Sequence, residues 1–224
     1  SKSVDFALNS CTQIQSVSQH TKNQFLNFTN INENKITVVY PPINKYYLTD
    51  EIINDGFFKD FGLKKYNYFI SIGYLDPIDI KYALTGFKNS FSDEILEVLN
   101  DPIIKDRVVF LEFVSIEKLK CLITNSLGLL YCSIAEGFGI PIVEAYACRT
   151  NVITSNTTSM KELGQDRAFL VDPNSIDEIC DAINKASLNR DESKIEQNYQ
   201  FARNFTPINW FKGHFLKDQY ILPK

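Results

Sequence analysis

Positive charge is in short supply in this 224-residue chain: 23 Lys and Arg stand against 27 Asp and Glu, a formal net charge of −4. No global basic field is present to hold nucleic acid or an anionic membrane. Histidine is scarcer still. Only His20 and His214 are available as imidazole ligands, too few for the usual zinc centre. The five cysteines (Cys11, Cys121, Cys132, Cys148 and Cys180) are odd in number, widely spaced and lack any CxxC pair. They fit reduced thiols in a cytosolic protein rather than a disulfide framework. No apolar run approaches the ~20 residues of a membrane span, and no basic segment followed by an apolar one opens the chain. A cytoplasmic protein is therefore expected. Sequons at Asn27, Asn156 and Asn204 have no secretion signal behind them and read as chance in an Asn-rich sequence. An initiator Met is lacking too, as expected of a processed or truncated chain.

What the chain does have is apolar bulk. A hydrophobic fraction of 44%, with 17 Phe and 11 Tyr, argues for a buried globular core and against disorder. The length suits one large domain, or one domain and part of another. Near the N-terminus a short helix is expected over Val4 to Cys11 and a strand around Gln13 to Val17. Ser18 then serves as N-cap for a helix from Gln19 to Phe28. Lys35 to Tyr40 is a β-branched strand stopped by Pro41 and Pro42.

From Tyr66 strands and helices alternate, which predicts a parallel sheet covered on both faces. Strands are expected at Tyr66–Gly73, Ile80–Thr85, Val108–Phe113, Leu127–Cys132, Asn151–Thr154 and Ala168–Val171. Helices are expected at Ser92–Asn100, Ser115–Asn125 with Ser115 as N-cap, Pro141–Cys148, Thr158–Leu163, Ser175–Ser187 and Glu192–Asn204. An amphipathic helix over Pro207 to Tyr220 closes the chain. One connection is too short. Only Tyr74 to Asp79 separates the first two of these strands, whereas a parallel crossover needs about a dozen residues. Either the two strands pair antiparallel or a segment is absent after Pro77.

Leu127 to Thr154, LGLLYCSIAEGFGIPIVEAYACRTNVIT, looks like a site. Gly137 and Gly139 can take positive φ and let another molecule approach the backbone, and Pro141 suits the first helical position. The free amides there, near Phe138 to Ile140, attract anions or hydroxyl oxygens. Glu136 and Glu144 flank that donor cluster. The same residues also read as an ordinary strand-to-helix turn, with Glu144 as favourable charge near the positive end of the helix dipole.

The run Glu136-Gly137-Phe138-Gly139-Ile140-Pro141-Ile142-Val143-Glu144-Ala145, with seven residues between its glutamates, resembles the donor-binding motif of family 4 glycosyltransferases. These are retaining, nucleotide-sugar-dependent enzymes of the two-lobed GT-B fold. The order SVSQHTKNQFL…NKITVVYPPI resembles the end of their N-terminal lobe. The resemblance implies an α/β fold: a doubly wound, mostly parallel Rossmann-like sheet forming one lobe, with a C-terminal crossover helix. Residues 1–45 would be a remnant of the N-terminal lobe and linker, 46–206 the nucleotide-sugar-binding domain, and 207–224 the helix returning to the first lobe.

Carried onto this chain, the resemblance makes Glu136 the catalytic carboxylate at the transferred sugar, with Gly137, Phe138, Gly139 and Ile140 facing it. Glu144 would hold the ribose. Glu112 and Phe113, at the sheet's C-terminal edge, would meet the nucleotide base. Gly73 matches the glycine of the diphosphate clamp, but Tyr74 stands where the family usually has arginine, and the family's following lysine has no counterpart. Lys81 lies nearby, but on a strand. Arg149 replaces a glycine at the helix C-terminus, at a cost of ~1 kcal/mol if φ is positive there. Arg149 is read as structural. Ser155 to Gly164 resembles the family's loop and short helix beside the donor, or else forms an N-capped surface helix.

The implied activity is transfer of a sugar from a nucleotide-sugar donor to a glycan or lipid-linked acceptor with retention, without metal or other cofactor. Peripheral membrane contact is left open. A different class is a degenerate, non-catalytic lobe that serves as binding or regulatory partner of an active transferase. A GT-B-like nucleotide-sugar epimerase and an unrelated nucleotide-binding module are further readings, and the paired glutamates argue against both.

Overall fold

The computed structural model describes residues 10–50, 57–71, 81–85, 93–111 and 113–215. Two sheets form. The smaller consists of β1 (Ile14–Ser16) and β2 (Ile36–Val38), paired in parallel with Ile14 opposite Ile36. They are joined through α1 (Gln19–Phe28), whose N-cap Ser18 accepts from the Thr21 amide. The chain then passes through two 3-10 turns, Lys45–Leu48 and Phe57–Phe61, which the sequence pattern does not announce.

The larger sheet holds six strands: β3 (Tyr68–Ser71), β4 (Lys81–Leu84), β5 (Val108–Phe110), β6 (Gly128–Tyr131), β7 (Asn151–Ser155) and β8 (Phe169–Val171). Their spatial order is β5-β4-β3-β6-β7-β8, parallel throughout. Side chains alternate between two buried layers. Tyr68, Ile70, Leu129, Tyr131 and Val152 enter one, while Phe69, Tyr82, Leu130, Ile153 and Val171 enter the other. Burial on both faces explains why these strands read as nearly continuous apolar runs.

The expected elements that fall on described residues are present, with most strand ends trimmed by up to three residues. The covering helices are α2 (Asp93–Asn100), α3 (Pro102–Lys105), α4 (Ile116–Thr124), α5 (Ile140–Ala147), α6 (Thr158–Gly164), α7 (Ile176–Leu188), α8 (Glu192–Ala202) and α9 (Pro207–Phe215). Ser115 occupies the N-cap position of α4 but makes no capping hydrogen bond. Its hydroxyl instead holds the exposed Glu117 carboxyl below the usual range.

The pairing of β3 with β4 is parallel, so the antiparallel alternative fails. The connection between them, and with it the segment expected after Pro77, lies outside the described residues, as does most of the helix expected over Val4 to Cys11. Among the described residues no helix is long and apolar enough to cross a membrane.

The strand order reverses between β3 and β6, and in open parallel sheets the crevice beyond the carboxyl ends at such a switch is where ligands bind. The 3-10 segment beside this sheet is fixed by a buried lysine. Lys120, on α4, is 5% exposed and donates through Nζ to the carbonyls of Tyr46 (2.9 Å) and Thr49 (2.6 Å). Lys120→Met keeps the bulk but leaves both carbonyls without their charged donor. It should cost about 1–3 kcal/mol, read as a lower denaturation midpoint with faster amide exchange in Lys45–Leu48.

Candidate active site

The loop from β6 to α5 occupies the switch point, and hydroxyls lace its backbone in place. From the β7–α6 segment, Thr154 Oγ1 donates to the Tyr131 carbonyl (2.7 Å) and Ser155 Oγ to that of Ser133 (2.6 Å). Thr157 Oγ1 donates to the carbonyl of Ile134 (3.1 Å) and Ser159 Oγ to that of Glu136 (2.9 Å). From the smaller sheet's side, Ser18 Oγ and Thr21 Oγ1 both donate to the Gly137 carbonyl, at 2.7 and 3.1 Å.

With these carbonyls engaged, the loop is left with its donors. Among the described residues, the amides of Gly137, Phe138, Gly139 and Ile140 donate no hydrogen bond. That leaves a cluster of donors at a helix N-terminus, suited to oxygen atoms of a ligand. Gly139 caps the helix at φ 104° and ψ 51°, a conformation that L residues rarely adopt. Gly137 has no positive φ, so only one of the two glycines is there for backbone freedom. Pro141 stands at the second helical position, since α5 opens at Ile140.

Glu136 is held from several directions. Tyr131 OH donates to its Oε1 at 2.7 Å. Its amide reaches Thr158 Oγ1 at 3.4 Å. Thr158 itself sits at φ 50°, an outlier for a β-branched residue and a form of strain that gathers at functional sites. Glu144, on α5, is half-buried, and its carboxylate makes no hydrogen bond or ion pair to a described residue. Burial pushes its carboxyl up to about 7. A carboxyl perturbed by desolvation and left unpaired is a candidate functional group.

The other expected site residues divide. Ile140 is 40% exposed at the mouth of the helix, and Gly137 is exposed as well. The Phe138 side chain does not face the site. It is 6% exposed and packs against Tyr40 and Phe205 at centroid distances of 5.8 and 5.9 Å, so only its amide is available to a ligand. Phe113 lies past the end of β5 and is 82% exposed at the sheet's carboxyl edge. Gly73 and Tyr74, and Glu112, are outside the described residues.

Arg149 does sit at positive φ, 54°. It stacks 3.5 Å over the Tyr199 ring and pairs with Glu196 and Asp50, so its role is structural. The segment after β7 is not an N-capped surface helix. Thr157 makes no capping bond, and Ser159, Met160, Leu163 and Gly164 are buried.

Sequence reasoning missed Tyr131 and the hydroxyl lacing. The signal was present as five hydroxyl residues within Thr154-Ser155-Asn156-Thr157-Thr158-Ser159, at the end of a strand and just beyond it. It also missed Glu162, whose carboxylate accepts from the Gln19 and His20 amides at 3.2 and 3.1 Å and from Tyr40 OH, joining α6 to the start of α1.

Comparison with known proteins now decides the family, because the profile of the glycosyl transferases group 1 matches residues 78–204. The chain belongs to the group 1 glycosyl transferases. This group 1 domain is 28% identical over 225 residues to the O-antigen chain mannosyltransferase RfbU of Salmonella typhimurium, covering 93% of the chain and 60% of that relative. It is 32% identical over 96 residues to the O-antigen chain mannosyltransferase B of Escherichia coli, covering 43% and 25%. The chain thus spans 60% of the length of the Salmonella relative. Its fold is the GT-B glycosyltransferase fold. Anabaena Alr3699/HepE, solved in complex with UDP and glucose, superposes with a TM-score of 0.81 at 18% identity, over 96% of this chain and 66% of that one. A glycosyltransferase from Rickettsia africae gives 0.80 at 18% identity, over 97% and 66%.

Proposed function

We propose that this group 1 domain is the donor-binding, C-terminal lobe of a retaining family 4 glycosyltransferase, and that residues before Tyr46 belong to the end of its acceptor lobe. The observation that carries the reading is the loop of unpaired amides from Gly137 to Ile140, set at the sheet's switch point between Glu136 and Glu144. Glu136 and the amides engage hydroxyls of the transferred sugar. Glu144 accepts from the ribose, and the N-terminus of α5 faces the charge that develops on the leaving diphosphate. No metal ion is required in this arrangement.

The separate two-stranded sheet supports the assignment of the first residues to another lobe. The mannosyltransferase relatives favour a mannosyl donor and a glycan acceptor. A solved neighbour, HepE, is described in complex with UDP-glucose, which supports a nucleoside diphosphate sugar as the donor class.

Calorimetry on the full-length protein with GDP, UDP, GDP-mannose and UDP-glucose tests the reading. At least one nucleotide sugar is expected to bind, and Glu136→Gln is expected to weaken it about tenfold, or 1.4 kcal/mol, with the parent nucleoside diphosphate unchanged. Transfer should fall about a hundredfold or more. Binding of none of the four at millimolar concentration overturns the proposal.

A further inference from the structure

The contact between Tyr131 and Glu136 joins a core residue to the carboxylate at the centre of the site. Tyr131 ends β6 and is 6% exposed. Its carbonyl is pinned by Thr154 Oγ1 from the neighbouring strand at 2.7 Å, and the strand register sets Leu130 opposite Ser71 at the switch. The ring therefore has little freedom, and its hydroxyl donates to Glu136 Oε1 at 2.7 Å. Glu136 Oε2 takes no hydrogen bond from any described residue.

Burial first, and then the bond to the Glu136 carboxylate, push the Tyr131 phenol well above its ordinary value, and the Ser133 side chain opposes them only in part. The phenol stays protonated and donates. A loop side chain would otherwise sample several rotamers. Here a rigid donor on the sheet selects one.

Resting on the reading of Glu136 as the sugar-side carboxylate, we propose that Tyr131 is its positioning residue: the phenol anchors Oε1 and leaves Oε2 to accept a hydroxyl of the donor sugar. Tyr131 does not itself touch the substrate. Its contribution is to hold Glu136 in the productive rotamer before the sugar arrives, so that no ordering is required at the moment of binding.

Tyr131→Phe removes the hydroxyl and keeps the ring in the core. In the full-length enzyme, the affinities for GDP and UDP should stay at wild-type values, because neither nucleotide carries the sugar. Affinity for the nucleotide sugar that the wild type selects from GDP-mannose and UDP-glucose should fall by up to about tenfold, no further than in Glu136→Gln, because the phenol acts through that carboxylate. The kcat/KM for transfer should fall by at least as much. The Tyr131→Phe/Glu136→Gln double variant should be no weaker than Glu136→Gln alone, since the phenol acts through that carboxylate. Wild-type sugar-nucleotide affinity in Tyr131→Phe, losses that add in the double variant, or an equal loss for GDP or UDP would each overturn the role of Tyr131 while leaving the donor-lobe reading intact. Failure of the wild type to bind any of the four probes would overturn both.

Discussion

Glu144→Gln is expected to raise the stability of the chain above pH 7 while weakening nucleotide binding tenfold or more. The carboxyl titrates near 7 in the folded protein against an ordinary 4.5, because burial disfavours its charged form. The folded state therefore binds this proton more tightly than the unfolded chain does. Relative to a carboxyl with the ordinary value, that stability is fully present below pH 4.5 and is lost as pH rises through 7. Every tenfold difference in proton affinity between the two states corresponds to about 1.4 kcal/mol. Partial exposure of Glu144 reduces the effect, so about 1–3 kcal/mol separates wild type from variant at pH 8.

Glutamine has nearly the same shape and no charge to desolvate. The two melting curves should converge near pH 4.5 and diverge at pH 8, with the variant higher. In the proposed role Glu144 accepts from the ribose hydroxyls, and hydrogen bonds to a charged acceptor contribute about 1.5–3 kcal/mol, hence the loss of affinity. A protein that keeps an unpaired, desolvated carboxylate in a helix gives up stability for a ligand contact. A variant that melts lower than wild type at pH 8, or that binds GDP and UDP unchanged, would remove that role.

Much of this arrangement is legible in the sequence. Period and punctuation place β6, α5 and β7 within one or two residues, because each is a buried apolar run bounded by Gly, Pro or Ser. The Arg149 cap is readable too, since helix C-termini commonly need a residue at positive φ. What the chain could not reveal is which neighbours distant segments supply. Phe138 sits within a loop of small and polar residues, and nothing local says that Tyr40 and Phe205 close over its ring. The bond from Tyr131 to Glu136 likewise depends on the loop folding back over its own strand. Hydroxyl runs such as Thr154 to Ser159 also read ambiguously, because the same residues cap helices, close turns or bond across to another segment.

The hydroxyl lacing also says how the site is assembled. Four of the donors come from the β7–α6 segment of the same sheet, but Ser18 and Thr21 come from α1 and its cap. Glu162 returns the contact by accepting from the first amides of α1. The Gly137 carbonyl is thus fixed by a part of the chain that packs with the other sheet, so the β6–α5 loop is held from both sides. Separating them by truncation at the linker would leave that carbonyl and the α1 amides unpaired together.

Gly139→Ala should be the most damaging single methyl in the loop, costing about 2–5 kcal/mol, whereas Gly137→Ala should be nearly neutral for folding. At φ 104° a Cβ on residue 139 would lie 3.1 Å from Ile142 Cδ1 and 3.5 Å from Leu163 Cδ1. Both neighbours are fully buried, so neither has free space to retreat into. Backbone strain of about 1–2 kcal/mol for an L residue in this region adds to an overpacking cost of about 1–3 kcal/mol. The Gly137 Cβ, by contrast, would meet only Val17 Cγ2 at an ordinary 3.7 Å, with no positive φ to maintain. The one escape open to Gly139→Ala is rotation of the 139 backbone to a standard conformation, which would reorient the unpaired amides of Gly139 and Ile140. Urea denaturation alongside nucleotide-sugar calorimetry separates the two outcomes: strain retained lowers the midpoint, while strain relieved preserves the midpoint and abolishes binding. A Gly139→Ala variant with both wild-type stability and wild-type affinity would mean that these amides do not form the donor site.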